Sequence, residues 1–335
     1  MRIIVDGFGG DNAPLEVLNG AASAVDGLGV EITIVGDEEK ILACAKENNI
    51  EISMLDIAHA DGVMDICYEP NKILKEYSNT SMAVGLKMLA DGKGDAFLSA
   101  GSTGALVVGA TFIVKRIRGI KRTALATVIP TLKSNCLLLD SGANADCRPE
   151  MLAQFAIMGS VYMSRFLGIN NPKVALANIG SEPSKGRELE LESYKLLQSA
   201  PINFVGNIEG RDIPLGAADV VVTDGFTGNL ILKTIEGMGK FFSTSLKEMF
   251  SGGLASRIGA LMLLKKINGF KKKMDYTEHG GAPLLGTQKP VIKAHGSSNA
   301  KAFYNAIRQA KICIESDLVG GITNGLKELN VNDKE

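Results

Sequence analysis

Five short stretches of the chain carry residue types suited to holding an anion: Asp6-Gly-Phe-Gly-Gly-Asp-Asn12, Ser99-Ala-Gly-Ser-Thr-Gly104, Asp140-Ser-Gly-Ala-Asn-Ala-Asp146, Asn178-Ile-Gly-Ser-Glu182 and Thr223-Asp-Gly-Phe-Thr-Gly-Asn229. Small polar residues that open a helix leave backbone N–H groups unpaired and present the positive end of the helix dipole, so they hold phosphate without a basic side chain. Gly101, Ser102, Thr103 and Gly104 fit that design best and are candidate phosphate-binding residues. The hydroxyls of Ser102 and Thr103 would serve equally as helix N-caps. The run Gly225-Phe-Thr-Gly-Asn229 has the same form. Four cations, Arg148, Lys185, Arg187 and Arg211, sit in or beside these polar turns. Pro183 and Gly186 keep Lys185 on a loop, where an ammonium can meet an anion as a point charge or remain a solvated surface group.

Other chemistries find less support. No G-x-x-x-x-G-K-[ST] run occurs, which argues against a P-loop NTPase. The first loop begins Gly7-x-Gly9, but Asn12 stands where a dinucleotide fingerprint has its third glycine, and only Asp37 could follow as the ribose-binding acid. The three histidines, His59, His279 and His295, form no H-E-x-x-H and no cluster with cysteine, so no metal centre is expected. G-x-S-x-G is absent. Cys147 lies in a candidate loop and could act as a nucleophile, but Asp146 beside it opposes thiolate formation, which favours a packing role.

Periodicity predicts the elements that would position these loops. Apolar runs at 2–5, 31–35, 95–98, 125–129, 136–139, 173–177 and 219–223 alternate with helix-spaced segments, including 14–25, 71–90, 149–166 and 228–249. Such alternation predicts an α/β fold, an open and mostly parallel sheet with helices on both faces. Pro14 and Pro149 suit a first helical turn and Gly168 a helix stop. Loops that follow parallel strands emerge at one edge, where ligands bind, so the five are expected on a common rim. For any single loop the alternative is that Gly and Asn merely close a turn. Glycine is nevertheless abundant, with 38 residues, about 11% of the chain against a typical ~7%. At 335 residues the expectation is a single α/β catalytic domain over 1–335, or two lobes.

Composition narrows the partners. Lys plus Arg number 36 and Asp plus Glu 37, a net charge of −1 that argues against a dedicated nucleic-acid binder. Five scattered cysteines without a C-x-x-C pair point to a reducing compartment. The absence of a signal-peptide pattern and of an uninterrupted apolar span leads to an expected cytoplasmic location. Two local tracts are basic: Lys115-Arg-Ile-Arg-Gly-Ile-Lys-Arg122 and residues 257–273. Arg116, Arg118, Lys121, Arg122, Lys265, Lys266 and Lys271 are therefore candidates to meet an acidic carrier protein or anionic lipid. In the second tract Leu263, Ile267, Phe270 and Met274 share a helical face, so 251–276 reads as a basic amphipathic arm for dimer packing, membrane contact or both.

Read together, the loops resemble the bacterial phosphate acyltransferase family, the acyl-carrier-protein:phosphate transacylases. The similarity extends through Asn203-Phe-Val-Gly-Asn-Ile-Glu-Gly-Arg211, Gly280-Gly-Ala-Pro-Leu-Leu-Gly286 and Lys293-Ala-His-Gly-Ser-Ser-Asn299, almost end to end. Phe8 and Ser102 depart from the family's usual methionine and asparagine. The resemblance implies transfer of a fatty acyl group from acyl carrier protein to inorganic phosphate, without a cofactor. It implies a core similar to phosphotransacetylases and isocitrate-type dehydrogenases, a homodimer, peripheral contact with the inner face of the cell membrane, and a membrane-bound glycerol-phosphate acyltransferase as the next enzyme. For that chemistry Lys185 and Gly101 to Gly104 are expected to bind phosphate, and Asn144 and Asn178 to position the acyl carbonyl. His279 or His295 is expected to assist departure of the thiol. Two rivals stay open: a nicotinamide-dependent dehydrogenase of the same architecture, and a non-catalytic scaffold that recruits carrier protein through the basic tracts.

Overall fold

The computed structural model describes residues 1–251, 269 and 280–332. In chain order the strands are β1 (Arg2–Asp6), β2 (Glu31–Gly36), β3 (Leu55–His59), β4 (Ala96–Ser99), β5 (Ala124–Leu125), β6 (Thr127–Pro130), β7 (Asn135–Leu139), β8 (Lys173–Asn178), β9 (Asn203–Glu209), β10 (Val220–Val222), β11 (Ala282–Leu285) and β12 (Val291–Lys293). The helices are α1 (Leu15–Leu28), α2 (Glu38–Glu47), α3 (Ser81–Ala90), α4 (Thr103–Gly109), α5 (Pro149–Leu167), α6 (Glu188–Ser199), α7 (Gly225–Ser251), α8 (Ala300–Glu315) and α9 (Leu318–Asn332). The expected mostly parallel α/β architecture is present, divided between two sheets. One has the order β3-β2-β1-β4-β12-β11-β5 and the other β6-β7-β10-β8-β9. Among the described strands, antiparallel pairing is confined to β11 with its two neighbours and to β6 with β7.

Apolar runs such as Ile3, Ile4 and Val5, or Val220, Val221 and Val222, are fully buried, as strands covered on both faces must be. One continuous apolar cluster contains Val5 and Leu98 of the first sheet together with Leu139 and Val222 of the second, so the sheets share a core. Register aligns the strand ends. Leu98 stands beside Val5 and Ile292, and Val222 beside Leu139 and Leu176. Each sheet therefore has a rim of carboxyl ends at which the polar loops begin.

Two predicted elements are interrupted for local reasons. The strand expected over 125–129 breaks at Ala126, and its halves join different sheets. Asp140 Oδ1 accepts from the Leu125 N–H at 3.0 Å and Ser141 donates to the Leu125 carbonyl at 2.9 Å, so the start of the 140–146 loop occupies the edge along which the strand would continue. The helix expected over 71–90 becomes a 3-10 turn, Pro70–Leu74, followed by α3. Thr80 is extended (ψ 154°) and its hydroxyl donates to the Tyr77 carbonyl, which restarts the helix at Ser81.

Helices α5 and α8 meet through a buried polar contact. Tyr162 is fully buried, stacks on Phe166 with ring centroids 4.6 Å apart, and accepts a hydrogen bond from Gln309 Nε2 at 3.0 Å. Tyr162→Phe removes the acceptor and leaves a buried amide donor unsatisfied, at a cost of about 1–3 kcal/mol. Urea unfolding should show a lower midpoint with an unchanged slope; an unmoved midpoint would show that the contact contributes nothing.

Candidate active site

At the first sheet's rim, three residues that end strands organise the loops: Asp6, Ser99 and Lys293. The Asp6 carboxylate accepts from Ser99 Oγ at 2.7 Å and from the Phe8 N–H at 3.2 Å, and Ser99 Oγ in turn accepts from the Gly101 N–H at 3.0 Å. Burial pushes Asp6 up from the ordinary carboxylate range, against the pull of Ser81 first and then of Ser99 and Phe8. Gly9 packs into this chain: a Cβ there would lie 2.7 Å from both Asp6 Oδ2 and the Gly101 nitrogen, so only glycine fits. The 6–12 loop is bound to the 293–299 loop by Asp11 N–H to the Gly296 carbonyl at 2.8 Å, with the Asn12 side-chain amide on the carbonyls of Ser297 and Ser298. Lys293 donates to the carbonyls of Ala100, at 3.2 Å, and Ala294. Burial lowers this lysine to about 8, against the pull of Asp6 and Asp11.

Of the candidate phosphate loop, Gly101, Ser102 and Thr103 are partly exposed and Gly104 is exposed. Ser102 is the N-cap of α4, its Oγ accepting from the Ala105 N–H at 3.4 Å. His295 Nδ1 accepts from the Ser297 N–H at 3.2 Å and lies 2.9 Å from Ser297 Oγ. Burial and then Lys233 push this histidine below its usual value, so the ring is neutral at pH 7.

The second sheet's rim is built around Asp140. Its carboxylate accepts five N–H bonds, from the backbones of Leu125, Gly142, Ala143 and Asn144 and from the Asn144 side chain, at 2.7–3.1 Å. Burial raises Asp140, and five donors oppose that rise by solvating the charged form. Asn144 Nδ2 also donates to the Thr123 carbonyl at 2.7 Å, so both its amide hydrogens are taken and only Oδ1 remains for a ligand. The 140–146 and 223–229 loops are joined by Asp140 N–H to Thr223 and Gly225 N–H to Asn144. A Cβ at Gly228 would sit 1.8 Å from the Asp140 carbonyl oxygen, a closeness that requires glycine.

Arg187 brings the 178–187 loop to this rim. Its guanidinium pairs with Glu190 and, at 2.9 Å, with Asp224, both nearly buried. Burial opposes ionisation of Glu190, but Arg187 outweighs it and holds this carboxyl below the usual range. Asn178 donates from Nδ2 to the Lys185 carbonyl at 2.9 Å and accepts the Ile179 N–H at 2.8 Å. The Lys185 side chain is half exposed, its ammonium 4.0 Å from Glu182. Among the described residues, no hydrogen bond or ion pair joins Asn178 or Lys185 to the first sheet's loops.

The two rims are linked by α7, which starts in the 223–229 loop and carries Lys233 within electrostatic range of Lys293 and His295, with Glu236 acting on His295. Ala143 adds an apolar link, packing on the cluster that contains Ala105 and Leu106 of α4. Asp6, Asp140, Asp224 and Lys293 were not picked out as individual site residues from sequence. Their signal is positional: each ends a buried strand or lies within two residues of its end.

Other candidates lie apart or outside the description. Arg118, Lys121 and Arg122 are exposed, whereas Arg116 is partly buried and its guanidinium donates to the Lys121 carbonyl. His279, Lys265, Lys266 and Lys271 lie outside the described residues, as does nearly all of the 251–276 arm. The Cys147 thiol is pushed up to about 12, by burial first and then by Asp140, with Asp146 a lesser influence. It is protonated at neutral pH and unsuited to nucleophilic attack. Among the described residues no group of three or more His, Cys, Asp or Glu could hold a metal ion, and no helix is long and apolar enough to cross a membrane.

Comparison with known proteins identifies the family. A family model described as "Fatty acid synthesis protein" matches residues 1–320. A curated phosphate acyltransferase of Thermoanaerobacterium thermosaccharolyticum is 48% identical over 322 residues, covering 96% of each chain. A phosphotransacetylase from Streptococcus pyogenes superposes with a TM-score of 0.66 at 17% identity, covering 96% of this chain and 94% of that one. The EutD phosphotransacetylase from Staphylococcus aureus gives 0.61 at 19% identity, covering 93% and 94%. These two likenesses establish a shared fold. The full-length identity goes further, and the chain belongs to the fatty acid synthesis protein family as a phosphate acyltransferase enzyme.

Proposed function

We propose that the protein transfers a fatty acyl group from the thioester of acyl carrier protein to inorganic phosphate, forming acyl phosphate for phospholipid synthesis. The observation that carries this is a pair of amide-rich rims, one on each sheet and linked by α7 and Ala143, in a chain whose curated relatives are named phosphate acyltransferases. The reaction suits such a site. Phosphate is already a charged nucleophile near neutral pH, and a thiol with pKa around 8.5 leaves readily as thiolate. A phosphate oxygen bonds to the carbonyl carbon, the C–S bond breaks, and the sulfur leaves with the bonding pair and takes a proton from water. No strong base is needed. The protein must hold phosphate, orient it, and stabilise the tetrahedral oxyanion.

In this scheme Gly101 to Gly104 and Lys185 bind phosphate. Asn178, with one N–H left over, positions the acyl carbonyl. Asn144 acts with it through the backbone of the 140–146 loop, because its own amide hydrogens hold Asp140 and Thr123. His295, neutral at pH 7, or His279 lies beside the departing sulfur and assists its release. Exposed Arg118, Lys121 and Arg122 offer a basic face to acidic carrier protein. The enzyme works in the cytoplasm as a homodimer that touches the membrane through 251–276, and a membrane-bound glycerol-phosphate acyltransferase consumes the product.

Acyl carrier protein thioester incubated with the enzyme should yield hydroxylamine-trappable acyl phosphate only when phosphate is added. Phosphate-independent thioester loss would indicate hydrolysis, and no loss would favour a binding protein. Lys185→Ala should raise the phosphate concentration for half-maximal rate at least tenfold, and an unchanged phosphate dependence would remove Lys185 from the site.

A further inference from the structure

Lys293 ends β12 beside Ser99 of β4, and its ammonium grips the carbonyl of Ala100, at the entrance to the 99–104 loop, as well as that of Ala294. An ammonium has three donors, so one remains. Among the described residues no carboxylate lies within ion-pairing distance of it. Asp6 and Asp11 act from farther away, and Asp6 is already engaged by Ser99 and Phe8. Lys233 of α7 adds positive charge to the same space. A partly buried cation that no ion pair answers is costly, and one that persists beside the 99–104 loop is explained when a ligand supplies the missing charge.

We propose that Lys293 is a catalytic residue that contacts the phosphate dianion over the 99–104 loop, its third N–H and its charge completing the anion site. The assignment rests on phosphate being the acyl acceptor. It has a consequence that a purely structural lysine would not share. Lys293 stands at about 8 in the free protein, lowered by burial and by Lys233 and raised by Asp6 and Asp11. A dianion against it must raise that value, so phosphate binding near pH 8 draws in protons. Of the other groups at this rim, His295 is already neutral there, and Glu236 faces His295.

Isothermal titration of inorganic phosphate into the full chain at pH 8, repeated in buffers of different ionisation enthalpy, should show uptake of roughly half a proton per site, as expected for a group titrating near that pH. The KM reckoned on phosphate dianion should be level up to about pH 8 and then rise roughly tenfold per pH unit. Lys293→Met should abolish the uptake and raise KM at least tenfold at pH 7, with a smaller change in kcat. Lys293→Arg, which cannot deprotonate in this range, should flatten the pH dependence. A wild-type KM that stays level to pH 9.5 without proton uptake would overturn the assignment, as would Lys293→Met with wild-type KM. Should Lys293→Met fail to fold, the wild-type profile and Lys293→Arg decide the question alone. Absence of acyl phosphate from the wild-type protein would instead defeat the proposed reaction, a result separate from these.

Discussion

A carboxylate buried where a strand ends is tolerable only if the chain folds back to solvate it, and this protein meets that constraint twice. Asp6 ends β1, and Asp140 follows β7; both are almost wholly buried. Asp6 is satisfied by Ser99 and Phe8, and Ser99 then fixes the start of the 99–104 loop. Asp140 draws in the backbone of residues 142–144 and, through Leu125, sets the point at which the chain passes from one sheet to the other. The shapes of these loops follow from the two demands for N–H donors. An apolar residue at either position would leave the donors around it unpaired.

The charge distribution suits an acyl transfer that needs little proton movement. Cations at the rims are already tied to protein groups: Arg187 to Glu190 and Asp224, Lys293 to two carbonyls. Such fixed groups stabilise developing charge without reorganising. The titratable groups that would suggest base or nucleophile chemistry are held neutral, with Cys147 protonated by burial and His295 deprotonated. The site is thus built for positioning and electrostatics rather than for proton abstraction.

Much of this was legible in the sequence because buried parallel strands are plain apolar runs. Ile3 to Val5 and Val220 to Val222 are recognisable from residue type alone, and the polar loop after each marks the rim. What could not be read were features set by distant partners. The run 125–129 looks like one strand, and only contacts from Asp140 and Ser141, far along the chain, divide it. The short β11 and β12 carry too few residues for a period to show, and β11 contains Pro283. Lys293 therefore looks like the polar end of a minor strand. Its place beside β4 and within reach of Asp6 and Asp11 is set by distant parts of the chain, which no local pattern encodes. Asn144 was legible as a candidate, but not its two amide bonds, which turn it from a free donor into a brace.

The account's central claim is that loops from both sheets close on one anion. Backbone hydrogen exchange with and without saturating inorganic phosphate tests it most directly. Residues 99–104 and 293–298 of the first rim should slow together with residues 142–144 and 225–229 of the second. Protection confined to one rim, or found only away from both, would contradict a site shared between the sheets.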